Sequence, residues 1–490
     1  MSTRQWTAQE RDADQGDGLY ARLLAAALHR LGSDNSVQPP AEAMPQDWVQ
    51  LDWPQLCDAI AERCVSDEAA GLAKEHPLFE QPDCLRLHQN LILESACLIE
   101  KGDRPDLLHV PALSTVLARA SRDAVLSAEQ LGLVCEALEA SNRLRRFFDH
   151  RREEAPLAWE LAEPMQRLDE VERRLRRAFG PDGRLSDDAS PELGHLRRRV
   201  LRLHEQMRSR LEEKLKSRDM EDLLQDSFYT QREGRYVLPI RVHARTQLEG
   251  IVHASSGSGQ TVFMEPREFI EINNQIRLSE IEVEEEEERI LRNLTEVVGS
   301  IAGALAHNLR RLFYLDLVQA GAQLALDLRS NAPHIAARIE LGRARHPLLQ
   351  LRLGAQGRDV VPNQIALPVE SRALVISGAN AGGKTVTLKT IGLFALLLRA
   401  GQPLPAAPGS EFPLFNEVFA DIGDEQSIVQ DTSTFSAHVI KLRQILPRVG
   451  PGSLVLLDEP FAGTDPAQGG ALTMALLERL YIAGATVVVT

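Results

Sequence analysis

Residues 378–385 read Gly-Ala-Asn-Ala-Gly-Gly-Lys-Thr, directly after an apolar β-type run at 373–377 and directly before an apolar helical pattern. Each residue type has a task in that order. Gly378, Asn380, Gly382 and Gly383 let backbone N–H groups close around phosphate oxygens, and the following helix adds the positive end of its dipole. Lys384 then reaches the β- and γ-phosphates, and the Thr385 hydroxyl ligates magnesium. Further on, the apolar run Leu454-Val455-Leu456-Leu457 ends in Asp458-Glu459. An acid pair at the C-terminal end of a buried strand beside such a loop is where the chemistry of α/β sheets sits. Asp458 is expected to hold the metal together with Thr385, and Glu459 to accept a proton from the attacking water as the catalytic residue. The expected cofactors are ATP and Mg2+, and the expected activity is ATP hydrolysis.

Between the two motifs lies Asp431-Thr432-Ser433-Thr434-Phe435-Ser436-Ala437-His438, a hydroxyl cluster opening a helix. By itself it is a good N-cap. Its place between the motifs is that of the signature helix of ABC-type ATPases, in which Ser433 and Thr434 would bind the γ-phosphate held by the opposite subunit. Gly463-Thr464-Asp465-Pro466 would then be the loop crossing the dimer interface, and two heads would enclose two ATPs in a homodimer.

The elements that must carry this site change character along the chain. Residues 1–45 mix Gln, Asp, Gly, Ser and Pro without periodicity and are expected to be a mobile N-terminal arm. Over 46–155 apolar residues recur at helical spacing, as in Leu56, Ile60, Cys64 and Leu131, Val134, Leu138, which predicts an all-α core or lever. Over 156–335 two arms are expected. Leu196, Val200, Leu203, Met207, Leu211 and Leu215 form one narrow seam among basic residues, while Phe269, Ile276, Val283, Ile290 and Val297 recur every seven residues around the acidic run 284–288. Opposite charges predict an antiparallel coiled-coil pair. Between them the alternation of Tyr236, Leu238, Ile240 and Val242, with further β-type runs at 250–254 and 261–264, predicts a small β tip over 229–266. Over 336–490 apolar β runs alternate with helices, the pattern of an α/β head with a parallel sheet. The fold class is therefore mixed, an all-α core with long antiparallel arms and a β tip, followed by an ABC-type P-loop head.

Composition removes several alternatives. The 55 Lys+Arg against 70 Asp+Glu give a formal charge of −15, which excludes a sequence-blind basic coat for nucleic acid at whole-chain level. The five cysteines never form a CxxC pair, against a zinc ribbon or disulfide framework and in favour of a reducing, cytoplasmic compartment. No apolar run approaches the ~20 residues of a membrane span, and the first residues lack the apolar core of a secretory signal.

The loop 380–385, Ser433-Thr434-Phe435, Asp421-Ile422-Gly423-Asp424-Glu425-Gln426-Ser427 and Arg345-His346-Pro347-Leu348 with Val361-Pro362-Asn363 resemble the ATPase domain of the MutS family. Arg235-Tyr236-Val237-Leu238-Pro239, Gly257-Ser258-Gly259-Gln260-Thr261 and Phe263-Met264-Glu265-Pro266 narrow the resemblance to its second bacterial lineage, MutS type two. The resemblance is strong over 187–490. It implies a dimeric ATPase that clamps DNA or the ribosome (rRNA), suppressing recombination on branched DNA or splitting collided ribosomes. Two other readings fit less well. A mismatch-repair DNA-binding ATPase would carry a Phe-x-Glu wedge in an N-terminal domain, whereas Phe263-Met264-Glu265 falls in the tip and reads as strand and turn. A structural tether of the chromosome-maintenance kind would have far longer arms. Three departures stand out: Ala379 where the family usually has Pro, Pro460-Phe461 where it has Leu-Gly, and an end at Thr490 before the family's Thr-His switch, dimer-completing helices and, commonly, a Smr nuclease domain. That ending is expected to mark a fragment, with impaired hydrolysis and no nuclease activity.

Overall fold

The computed structural model describes residues 22–24, 44–75, 78–79, 81–107, 109–122, 124–257, 259–379, 382–423, 434–461 and 464–490. They fall into two compact units: Met1–Ala112, Ala140–Arg167 and Ala306–Thr490 form the first, and Leu113–Glu139 with Leu168–Leu305 form the second.

The first unit includes helices α1 (Gln46–Gln50), α2 (Trp53–Ala61), α3 (Asp67–Lys74) and α4 (Pro82–Glu100). α2 buries Trp53, Leu56, Cys57 and Ile60, the one-sided stripe that a 3.6-residue period produces. Ser66 caps α3 through the Ala69 N–H while its own hydroxyl donates to Asp316, which also accepts the Val65 and Ser66 N–H groups. Helices α5 (Ser114–Ala120), α6 (Ala128–His150), α7 (Pro156–Ala162) and α8 (Asp169–Ala178) follow. The first two N–H groups of α7 that need a partner, on Leu157 and Ala158, are taken by the Glu94 carboxylate at 3.1 and 2.8 Å. All five cysteines are free.

In the second unit, α9 (Pro191–Leu215) and the short α10 (Arg218–Glu221) lead into strands β1 (Thr230–Arg232), β2 (Arg235–Arg241), β3 (Gly250–Ser255) and β4 (Thr261–Pro266), and the chain leaves along α11 (Arg267–Asp327). The seam residues Leu196, Met207 and Leu211 of α9 and Phe269, Ile276 and Ile290 of α11 are buried. Arg197 pairs with Glu287, Arg199 with Glu282, His204 with Glu280 and Lys214 with Glu268. Numbers rise on α9 as they fall on α11, so the two helices run antiparallel, with Arg197, Arg199 and Lys214 matched to glutamates. The strands form an antiparallel sheet in the order β1-β2-β4-β3. Alternation predicted one covered face of β2, but residues 236–240 are all buried, because the segment around Leu224 and the helices cover both sides. Val242 lies beyond the strand and is exposed. Gly250 is required where β3 meets β4: a Cβ there would lie 2.3 Å from the Glu265 carbonyl oxygen.

The remainder belongs to the first unit. It comprises β5 (His334–Ile335), β6 (Ile339–Ala344), α12 (Pro347–Gly354), β7 (Asn363–Leu367), β8 (Ala373–Val375), α13 (Lys384–Arg399), β9 (Glu411–Phe412), β10 (Glu417–Asp421), α14 (Thr434–Ile445), β11 (Ser453–Leu457), α15 (Pro466–Ile482) and β12 (Thr486–Val489). A parallel sheet runs β10-β11-β12-β8. β11 is buried throughout, and Leu442, Ile445, Leu476 and Leu480 of α14 and α15 pack with Phe419, Val455 and Val487 in one cluster. A second sheet, β5-β9-β6-β7, was not expected from the sequence; two of its strands are two residues long. Arg345 donates to the carbonyls of Leu328 and Arg329 just past α11, satisfying acceptors a helix end leaves open.

Candidate functional site

The C-terminal edge of the parallel sheet gathers most of the residues the motifs single out. β8 ends at Val375, two residues earlier than the apolar run suggested, and Ile376 still donates its N–H to Val489. Gly383 takes a left-handed conformation, φ 83°, as the N-cap of α13, and this places Lys384 and Thr385 in the first helical turn. Gly382 N–H bonds back to the Ala379 carbonyl, closing the loop tightly. Asn380 and Ser433 lie outside the described residues, and Thr434 opens α14.

Across the sheet edge, β11 delivers Asp458 and Glu459. Thr385 Oγ1 donates to Asp458 Oδ2 at 2.7 Å, and Lys384 Nζ lies 3.3 Å from Glu459 Oε1 and 3.2 Å from the Gly378 carbonyl oxygen. Lys384 is well shielded, with 14% of its side chain exposed, while Glu459 is half exposed. Glu459 and Phe461 both adopt positive φ, 45° and 63°. Left-handed backbone at non-glycine residues is costly and concentrates where geometry is imposed for function.

The donor set fits the implied ligands. A helix N-terminus with a lysine suits a polyphosphate, and a hydroxyl beside one carboxylate supplies the hard oxygens Mg2+ prefers when phosphates complete its coordination. Among the described residues there is no group of three or more His, Cys, Asp or Glu that could hold a metal ion.

Comparison with known proteins bears on this site. Residues 374–490 match the model of MutS domain V. Over 455 residues, 90% of this chain and 56% of the relative, the sequence is 40% identical to an endonuclease MutS2 of Anaeromyxobacter sp.. It is 43% identical over 376 residues to that of Pelotomaculum thermopropionicum, covering 76% of this chain and 47% of the relative. The figure for Thermomicrobium roseum is 39% over 456 residues, 90% of this chain and 57% of the relative. The chain belongs to the MutS type-two family. It spans about half the length of these curated relatives.

The site also contains residues to which the motifs assign no part. Thr490 Oγ1 donates to Asp458 Oδ1 and accepts the Glu459 N–H, so one hydroxyl holds the Asp458 carboxylate and the backbone at Glu459. Asn363 donates to Thr387 Oγ1 in the second position after the Lys-Thr pair. Asp421, the last residue of β10, accepts the Asp458 N–H on its carbonyl and the His438 ring on its carboxylate at 2.7 Å. That bond holds the His438 imidazole above its ordinary pKa. The quoted sequence stretches contained Asp421, His438 and Asn363, but only strand register brings Asp421 beside β11. Asp465 of the expected interface loop caps α15 through the Ala467 and Gln468 N–H groups.

Proposed function

We propose that this chain carries an ABC-type head that binds ATP with Mg2+ and hydrolyses it to drive a dimeric clamp on nucleic acid. The observation that carries the reading is the meeting of Thr385 with Asp458, and of Lys384 with Glu459, at the start of a helix and the end of a parallel strand. Gly378, Gly382, Gly383, Lys384 and Thr385, with Asn380, hold the phosphates. Thr385 and Asp458 hold the metal, which when bound neutralises charge developing on the phosphoryl oxygens. Glu459 takes the proton of the attacking water, and Ser433 and Thr434 serve the nucleotide of a second copy.

The polymer is branched or double-stranded DNA, or the rRNA of a ribosome. Arg197, Arg199 and Lys214 are engaged by α11 glutamates, whereas Arg198, Arg202, Arg208, Arg210 and Lys216 of the same segment are exposed. Exposed arginines of this kind favour phosphate-backbone contacts, which are independent of sequence and sensitive to salt. The relatives are named as endonucleases; the meeting of Lys384 and Thr385 with the acid pair supports phosphoryl transfer from a nucleotide at this site. Among the described residues no helix is long and apolar enough to cross a membrane. Mg2+-dependent ATP turnover tests the reading. It should be measurable in the parent and abolished, with ATP binding strongly weakened, in Lys384→Ala; parental turnover in that variant contradicts the assignment.

A further inference from the structure

α14 is held from behind by a cluster of ionisable groups that the hydrolytic chemistry does not require. His438, one turn into the helix, is bonded to Asp421, and both side chains are buried. Lys441, on the same face a turn later, bonds Gln50 Oε1, lies 3.4 Å from Asp47 and 4.0 Å from Asp421. Gln50 Oε1 also accepts the Ile422 N–H at 3.4 Å. Two residues on, Asp52 sits in a left-handed conformation, φ 62°, and its carboxylate accepts Lys389 of α13 at 2.9 Å. Between these contacts, Leu51 packs so closely on α13 that a Cβ at Gly392 would lie 2.6 Å from it.

The short segment 47–52 thus grips two helices at once. α13 begins with Lys384 and Thr385, and α14 begins at the hydroxyl cluster read as the signature. An apolar contact would join the helices at least as strongly, because partly buried charge pairs gain little net stability after desolvation. What charge pairs and hydrogen bonds add is direction: they fix one rotation and one height of α14 against β10.

We propose that Asp421, His438 and Lys441 are positioning residues for nucleotide hydrolysis, which together with Asp47, Gln50 and Asp52 set the start of α14 relative to the P-loop helix. The inference rests on the reading of α14 as a signature helix that serves a nucleotide bound to a second copy. Misplacing that helix by an ångström would leave the phosphate-binding loop intact and slow the chemical step.

The test is steady-state Mg2+-ATP turnover with kcat and KM separated, alongside thermal unfolding. His438→Ala and Lys441→Met should lower kcat about tenfold with KM within about twofold of the parent. His438→Gln and Lys441→Arg, which keep a donor, should recover most of the loss. Parental kcat in His438→Ala and Lys441→Met, or a loss that only follows the fraction unfolded at the assay temperature, overturns the proposal. Should His438→Ala not fold, Asp47→Asn decides, since it removes one partner of Lys441: a kcat about threefold lower supports the role and a parental kcat overturns it. Ser433→Ala separates the two levels. Parental turnover in Ser433→Ala overturns the reading of α14 itself, whereas strong dependence on Ser433 with none on His438 and Lys441 overturns the positioning role alone.

Discussion

Thr385 and Asp458 are joined by a 2.7 Å hydrogen bond although 73 residues separate them. One oxygen comes from the first turn of α13 and the other from the end of β11, so the bond depends on the helix and the strand being correctly placed together. Replacing Thr385 by Val keeps the shape and removes the oxygen. The Mg2+ concentration for half-maximal ATP turnover should then rise roughly tenfold or more, while Thr385→Ser stays near the parent. An unchanged Mg2+ requirement in Thr385→Val would remove this residue from the metal site.

Ser433 is expected to act on nucleotide held by the other subunit. A Lys384→Ala chain and a Ser433→Ala chain, each inactive alone, should regain one working site per heterodimer when mixed. Turnover measured on isolated heterodimers decides the point, and no recovery in them contradicts an enclosed pair of nucleotides.

His346 caps α12, accepting the Leu349 N–H, and its burial pushes its pKa down to about 4. The folded pKa lies below the ordinary value, so the unfolded chain binds the proton more readily. The stability it contributes is complete above about pH 6.5 and is lost as pH falls towards 4. His346→Asn keeps a capping side chain and removes the titration. Between pH 7.5 and 4.5, unfolding free energies should shift in favour of the variant by about 2 kcal/mol. Parallel pH profiles would show that His346 does not titrate this way.

Glu94 has the opposite sign. Burial, outweighing the Leu157 and Ala158 N–H bonds, raises its pKa to about 7. Here the folded state holds the proton more tightly, so stability is greatest at low pH and declines as pH rises from about 4.5 to 7. Glu94→Gln should flatten that decline. Because the Glu94 and His346 slopes oppose each other over much of the same range, the parent's own pH profile would hide both, and denaturant titrations of the two single variants are needed. A decline of unchanged slope in Glu94→Gln would contradict the assignment.

The local parts of the molecule were legible in the sequence, and the long-range parts were not. Four-residue and seven-residue spacing pointed to the buried Met207, Leu211, Phe269 and Ile276, because a helix repeats its face along the chain. The turn that opens α13 was legible because a glycine at Gly383 permits the left-handed conformation that places Lys384 and Thr385 in the first helical turn. By contrast, Lys389–Asp52 and Lys441–Gln50 join positions 337 and 391 residues apart, and no local pattern marks them. The second sheet escaped notice because strands of two residues, β5 and β9, carry no period to detect. Complete burial of β2 escaped for a related reason: the alternation of Tyr236, Leu238 and Ile240 reports one covered face, and the cover over Val237 and Pro239 comes from elsewhere in the unit.

The most direct test of an ATP-hydrolysing head is Glu459→Gln, assayed for ATP binding and for turnover in the same preparation. Glu459 lies against Lys384 but outside the loop 378–385, and its proposed part is to take the proton of the attacking water. The variant should bind Mg2+-ATP about as tightly as the parent while turnover falls at least about a hundredfold. Turnover at the parental rate, or a loss of binding equal to the loss of turnover, would contradict the account.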